Sequence, residues 1–327
     1  MNIKVSLLKY LEIALSSREL FKNSFLAGLK YLIFYKLLKR QVSINVVCND
    51  GSTLHLNPGV FGIIVNSYHD HRFIKFSCKE RRVWITNDFS VSLSEFIRSG
   101  IYPALITKLG WRYDEGCRCW VKDNIKFKYA RGANIEIFVY DEHKALDVSG
   151  RNVVDVGAFC GDTPIYFVLK GAKKVIAIEP CPDPYKEMLE NLRLNGLLDK
   201  VIPVNAALGS KHGKSVIKCP SGMFKTDTIT LKDVKDILDK LSISNAVLKM
   251  DCEGCEYDVI LNQYEYITTF DEVYFEYHAY ITGIPIVRLL ENLSKDFKCM
   301  IVSDEDYYRR HGMNRKLLGL IKCVKRY

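Results

Sequence analysis

Hydrophobic positions change their spacing twice along the chain, and each change marks a boundary. Over residues 1–42 they recur at helical intervals: Leu7, Leu8, Leu11 and Ile13 to Leu15 predict one amphipathic helix, and Phe25, Leu26, Leu29, Leu32 and Ile33 a second. Both carry basic residues, so two uses fit them, a lid packed on the main domain or a peripheral contact with a membrane surface or a partner. The packed lid is the default for an amphipathic helix. From 43 to 148 the pattern shortens to apolar or alternating runs (Ile44–Val47, Ile63–Val65, Val83–Ile85, Ile125–Tyr129, Ile135–Val139), punctuated by Asp50-Gly51 and Pro58-Gly59. This predicts a mostly β accessory region, interrupted by a helix over 92–109 that restarts at Pro103.

From 149 to 327 strands alternate with helices. Strands are predicted at 153–156, 175–178, 201–205, 246–250 and 273–277, and helices at 162–170, 183–195, 231–241, 255–262 and 285–296. Such alternation signals βαβ units and a mostly parallel sheet. Two last strands, 298–302 and 317–324, follow one another with no helix expected between them, which predicts an antiparallel hairpin at the sheet's end.

Composition narrows the class without naming a partner. With 327 residues, 48% hydrophobic and 26% charged, the chain is globular, and its net charge of +9 is a modest surplus. Lys4, Lys9, Glu12 and Arg18 interrupt the apolar positions of the first 20 residues, and Lys30 and Lys36 those that follow. Neither an export signal nor a membrane span is expected, and the expected location is cytoplasmic. Eleven cysteines are then reduced by default. Yet only two glutamines, Gln41 and Gln263, stand among many Lys, Ile and Tyr, a thermophile-like bias under which intracellular disulfides also fit.

Chemistry concentrates after residue 150. In Val153-Val154-Asp155-Val156-Gly157-Ala158-Phe159-Cys160-Gly161-Asp162-Thr163 an apolar strand runs into a glycine turn and a helix start. Glycines there let the backbone approach a ligand, and Asp162 or Thr163 can cap the helix. The spacing is G-x-x-x-G, so an adenosyl ligand fits better than the dinucleotide of G-x-G-x-x-G. The next strand ends in Glu179-Pro180, where a carboxylate can accept hydrogen bonds from ribose hydroxyls.

Together these residues resemble the FkbM-type S-adenosylmethionine-dependent methyltransferases. The resemblance runs from Tyr140-Asp141-Glu142 through residues 153–167, 171–180, 190–196 and 204–209 to Leu248–Ile260, rather more than a third of the chain. It implies a class I methyltransferase fold, a Rossmann-like α/β fold with a seven-stranded mostly parallel sheet, here with an N-terminal helical and β extension. It also implies S-adenosyl-L-methionine as cofactor. Asp155, Gly157, Ala158, Gly161 and Asp162 would hold its methionine end, Glu179 and Pro180 the ribose, and Asn205 and Ala206 the adenine side. One departure is Leu231-Lys232, where the family commonly has Leu-Asp.

The fourth predicted strand ends Lys249-Met250-Asp251-Cys252-Glu253-Gly254-Cys255-Glu256, at the sheet edge where ligands bind. Lys249, Asp251 and Glu253 are candidate catalytic residues that orient an acceptor hydroxyl or a divalent cation, and one carboxylate would assist proton removal. Glu256 falls in the first helical turn. His278, closing Glu276-Tyr277-His278 on the fifth strand, is the candidate general base as a neutral imidazole. Cys252 and Cys255, with Cys117 and Cys119, do not reproduce a zinc spacing, so no metal ligand is assigned and a divalent metal stays open. Asp183-Pro184-Tyr185 opens a helix and lacks the strand-four context of an amino-methylating motif. The basic group Arg72, Lys75, Lys79, Arg81 and Arg82 reads as solvated surface or a phosphate contact.

The function expected is O-methylation of a small-molecule or saccharide hydroxyl, with no nucleic-acid partner. A non-catalytic docking protein on the same fold and a nicotinamide-dependent oxidoreductase are the alternatives.

Overall fold

Past Gly150 the βαβ rhythm becomes a seven-stranded sheet. In the computed structural model, which describes residues 17–69, 73–87, 89–100 and 102–326, its strands are β1 (Asn152–Val156), β2 (Lys174–Ile178), β3 (Val201–Val204), β4 (Ala246–Met250), β5 (Glu272–His278), β6 (Phe297–Ile301) and β7 (Leu318–Lys325). They lie in the order β3-β2-β1-β4-β5-β7-β6. All neighbours are parallel except β7, which runs antiparallel to both β5 and β6. Val154, Ile176, Leu248 and Phe275 are buried, because a parallel sheet covered by crossover helices hides both faces. That is why these strands read as mostly apolar runs, broken in β1 and β4 only by Asp155 and Lys249.

The crossovers include α1 (Asp162–Leu169), α2 (Pro182–Leu194), α3 (Leu231–Lys240), α4 (Cys255–Asn262) and α5 (Val287–Leu293). Thr230 and Asp233 form a reciprocal capping box that starts α3, so the local geometry at Leu231-Lys232 is fixed by the residues on either side. Strand order reverses at β1, whose neighbours β2 and β4 lead the chain away in opposite directions. A crevice therefore opens beyond their carboxyl ends.

Two elements here were not anticipated. A helix, α6 (Glu305–His311), stands between β6 and β7 where none was expected. Only Tyr307 and Tyr308 of it are buried, too few apolar positions to register as a period, while Asp304 caps it by accepting from the Tyr307 amide at 2.8 Å. A second, three-stranded sheet combines Ala207–Leu208 with the hairpin Gly213–Cys219 and Gly222–Ile229.

The chain divides into two compact units. One comprises the described residues up to Lys122 with Tyr129–Gly132, and the other Asp123–Lys128 with the residues from Ala133 onward. In the first, Ile44–Val47 pairs with Thr53–Leu56 across the Asp50-Gly51 turn. The expected helix over 92–109 forms as Leu93–Ser99 and Tyr102–Lys108, with Pro103 in the first turn of the second. The first predicted N-terminal helix, through Leu15, lies outside the described residues, as does Arg72. Two expected strands are helices instead. Ile63–Val65 sits inside Pro58–His69, and most of Ile135–Val139 inside Gly132–Phe138. Runs this short do not distinguish a buried strand from a buried helix by period, and Pro58 supplies a helix-starting φ. The region 43–148 is accordingly mixed rather than mostly β.

Ten of the eleven cysteines pair, as Cys48–Cys78, Cys117–Cys119, Cys181–Cys219, Cys252–Cys255 and Cys299–Cys323, and Cys160 is a buried thiol outside these bridges. The default of reduced thiols thus gives way to the disulfide alternative. No described helix is long and apolar enough to cross a membrane.

Candidate functional site

Three strand tips build one side of the crevice. Where β1 ends, Gly157 turns with φ +81°, and a Cβ on it would lie 1.7 Å from the Asp251 carbonyl oxygen. Only glycine lets the tips of β1 and β4 come together this closely. The amides of Gly157 and Ala158 both donate to the Ile178 carbonyl at the end of β2, at 2.9 and 3.1 Å. Gly161, φ +86°, leads into α1 against Met188 of α2.

The turn delivers backbone donors to Glu179. Its two carboxylate oxygens accept from the Phe159 amide at 2.9 Å and the Cys181 amide at 2.7 Å, which fixes the group where β2 opens. Burial pushes its pKa up to about 7, although the two amides oppose that shift. Asn205, exposed past β3, donates to the carbonyls of Glu179 and Pro180 at 2.8 and 3.3 Å, and Ala206 beside it is buried. Asp162, buried in the first turn of α1, is likewise raised by burial to about 7.

Asp155 and Lys249 face each other across the β1–β4 register and form a fully buried ion pair at 3.0 Å. Asp155 also accepts from the Thr163 hydroxyl at 2.5 Å, and Lys249 donates to the Gly157 carbonyl at 3.3 Å. Burial works against the Lys249 ammonium, but Asp155 and Asp251 outweigh it and hold its pKa above the ordinary lysine value. Lys249 therefore does not take up protons, and Asp155, with no exposed surface, braces the turn.

The other side is built from β4, the loop after it and β5. Asp251 follows β4, Glu253 turns with φ +55°, and the Cys252–Cys255 bridge closes the loop onto the first turn of α4. Glu256 is completely buried there. One of its oxygens accepts from the backbone amide and Nδ1 of His278, both at 3.0 Å, and the other from the Gly254 amide at 3.0 Å. Nε2 of His278 stands 3.3 Å from Glu276 and 3.8 Å from both Asp251 and Glu253.

Four carboxylates thus surround one ring. Burial alone would favour neutral imidazole, yet the ring's hydrogen bonds to Glu256 and Glu276 and the charge of Asp251 prevail, and the pKa is pushed up to about 11. The surrounding carboxylates thus favour the imidazolium form of His278, whereas the role of general base calls for the neutral ring. Proton-accepting capacity moves to its partners. Burial and the neighbouring Asp251 raise Glu276 to about 7, against His278 and Tyr307, whose hydroxyl donates to it. For Asp251, burial is outweighed by Lys249 and His278, which lower its pKa.

Sequence reading placed His278, Asp251 and Glu253 correctly beside one another but gave Glu276 no role. Its signal was the Glu276-x-His278 spacing, which puts both side chains on one face of a strand end. Tyr307 was missed with α6. The same helix carries Arg310 and His311, which contact Glu142 at 3.0 and 3.4 Å. Asp251, Glu276 and His278 bring donor atoms within 4.8 Å of one another, a set whose carboxylates suit an oxygen-preferring divalent cation. Cys252, Cys255 and Glu256 are as close, but bridged cysteines offer no thiolate.

These shifts share a sign. Asp162, Glu179 and Glu276 bind protons more tightly folded than unfolded, and so does His278. Each contributes stability that is present below its unfolded pKa and is lost as pH rises, through about 7 for the carboxyls and on toward 11 for the histidine. The melting temperature of the ligand-free protein is expected to fall between about pH 6 and pH 9. Calorimetry showing a level or rising Tm over that span would contradict this electrostatic account.

Residues 155–297 match the family model described as Methyltransferase FkbM domain. The ribosomal protein L11 methyltransferase of Geobacter sp. (strain M21) is 36% identical over 61 residues, 19% of this chain and 20% of that protein. An uncharacterized protein 158B of Sulfolobus islandicus rod-shaped virus 1 is 29% identical over 115 residues, 35% of this chain and 54% of that protein. The chain thus spans about half or less of the curated relatives it matches. Among solved structures, a putative RNA methyltransferase from Pyrococcus horikoshii is similar at 16% identity and TM-score 0.35, covering 62% of this chain and 87% of that one.

Proposed function

From the match of residues 155–297 to the family model described as Methyltransferase FkbM domain, we propose that the chain is a class I S-adenosyl-L-methionine-dependent O-methyltransferase acting on a hydroxyl of a small polyhydroxylated molecule or saccharide. The observation that carries the cofactor reading is Glu179. Its carboxylate is immobilised by two backbone amides at the end of β2, beside the Gly157 turn, and keeps acceptor capacity for two ribose hydroxyls. Gly157, Ala158, Gly161 and Asp162 line the methionine side, Pro180 the ribose side with Glu179, and Asn205 and Ala206 the adenine side. Bound there, the cofactor supplies a methyl group already activated by its positive sulfur.

The chain's own work is alignment and proton removal. Asp251, kept ionised by Lys249 and His278, orients an acceptor hydroxyl, and Glu276, poised near neutrality, accepts its proton. Imidazolium His278 and Tyr307 hold Glu276 in place. Carboxylates accept paired hydrogen bonds from neighbouring hydroxyls and repel phosphate, so this rim suits a polyol rather than a nucleic acid.

Calorimetric titration with S-adenosylhomocysteine tests the reading. Binding is expected for the wild type, about 10-fold to 100-fold weaker for Glu179→Ala after loss of charge-assisted hydrogen bonds, and absent for NAD. A folded wild type that binds NAD but not S-adenosylhomocysteine would sink it.

A further inference from the structure

One surface of the N-terminal unit has no part in this chemistry. The helix Ser24–Lys30 continues into a wider π-helical stretch, Tyr31–Leu37. Ser24, Ala27 and Tyr31 are buried, and Ala27 and Tyr31 belong to a core that also includes Phe21, Ile44 and Phe61. On the outward side Phe25, Leu26, Leu29, Ile33, Leu37 and Leu38 stand exposed, at 37% to 67% of their surface. Six large apolar side chains gathered on about four turns are far more than the scattered exposure of an ordinary surface.

Charge indicates what covers them. Between Lys22 and Arg40 the sequence has Lys22, Lys30, Lys36, Lys39 and Arg40 and no Asp or Glu. Lys22, Lys30, Lys39 and Arg40 are exposed, and Lys36 lies over the rings of Tyr31 and Tyr35 at 5.5 and 5.6 Å. Against a second copy of the chain this face would set five like charges opposite five. Polyanionic nucleic acid would satisfy the lysines and leave the six apolar groups in water. An apolar stripe bordered by cations alone, with aromatic rings beside it, is what the boundary between headgroups and acyl chains of an anionic bilayer accommodates.

We propose that the helix Ser24–Leu37 docks the protein onto an anionic lipid surface, lying in the plane of the membrane with Leu26, Leu29, Ile33 and Leu37 inserted and Lys30, Lys39 and Arg40 on the headgroups. The remaining helix face stays packed on its own unit, so no unfolding accompanies docking. This extends one of the two uses the helical spacing allowed, and the opposite face of the same helix packs on its own unit.

Flotation of the 327-residue chain with vesicles tests it, comparing pure phosphatidylcholine with vesicles holding about 30% phosphatidylserine. Binding is expected on the anionic vesicles, weakened by about 0.5 M salt and weak on the zwitterionic ones. Leu26→Glu with Ile33→Glu should abolish it. Lys30→Gln, Lys39→Gln and Arg40→Gln together should lower partitioning about a hundredfold, at about fivefold per charge. All of these positions are exposed, and an unchanged circular dichroism spectrum and unchanged S-adenosylhomocysteine binding show that the variants fold. No flotation of the wild type, or flotation that the Leu26→Glu, Ile33→Glu protein retains, overturns the proposal. So does a dimer, detected by ultracentrifugation, that the same substitutions dissolve, since the face would then belong to a second copy.

Discussion

Replacing Glu276 by Gln should lower kcat by about 10²-fold to 10⁴-fold while leaving S-adenosylhomocysteine affinity within a factor of about three. The substitution keeps the size of the side chain and can keep contacts with Tyr307 and His278. What it removes is the group whose pKa burial and Asp251 set to about 7. Glu179, which carries the cofactor reading, sits on β2, on the other side of β1 and β4, so ground-state cofactor binding is spared. A second signature separates proton transfer from mere packing. Wild-type kcat/KM should climb as pH rises through about 7, because the ionised carboxylate is the competent form, and this limb should disappear from the Gln variant's profile. Transfer of labelled methyl to a saccharide acceptor provides the assay. A variant retaining a third of the wild-type kcat would remove Glu276 from the reaction.

The largest structural effect is expected at Gly157. An added methyl meets the Asp251 carbonyl oxygen at 1.7 Å, and backbone cannot rotate aside as a side chain can. A positive φ adds about 1–2 kcal/mol for any L residue. Gly157→Ala should therefore cost about 4 kcal/mol or more, lowering Tm by about 10 °C and S-adenosylhomocysteine affinity beyond about 100-fold. Gly150 is the internal control. Its φ is +68° but nothing lies within 4 Å of its would-be Cβ, so Gly150→Ala pays only the backbone term. Equal melting temperatures for the two variants would show that β1 and β4 need not touch.

Legibility in the sequence followed the physics of each segment. Strands β1, β2, β4 and β5 declared themselves because burial on both faces forces predominantly apolar runs, as in Val153–Val156 and Ala246–Met250, each with one charged residue. Ile63–Val65 and Ile135–Val139 misled because three to five apolar residues carry no period, and α6 hid because two tyrosines among charges show none. In the site, residue types and strand ends announced Glu179, Asp251 and His278. Protonation did not show in one dimension. His278 looked like a base until Glu256, 22 residues away, proved to hold both its amide and its ring. Likewise the sequence did not show that Asp155 and Lys249 pair with one another.

The cysteine pattern has a practical side. Ten sulfurs are committed to bridges, and the remaining thiol, Cys160, is enclosed behind the turn that carries Glu179's donors. The oxidised protein consequently presents no thiol to a maleimide or an alkylating agent in water. A cysteine introduced on the surface, for example on the Ser24–Leu37 helix, becomes the reactive handle of the whole molecule without deleting any native residue, and a single spectroscopic label can be placed there at will.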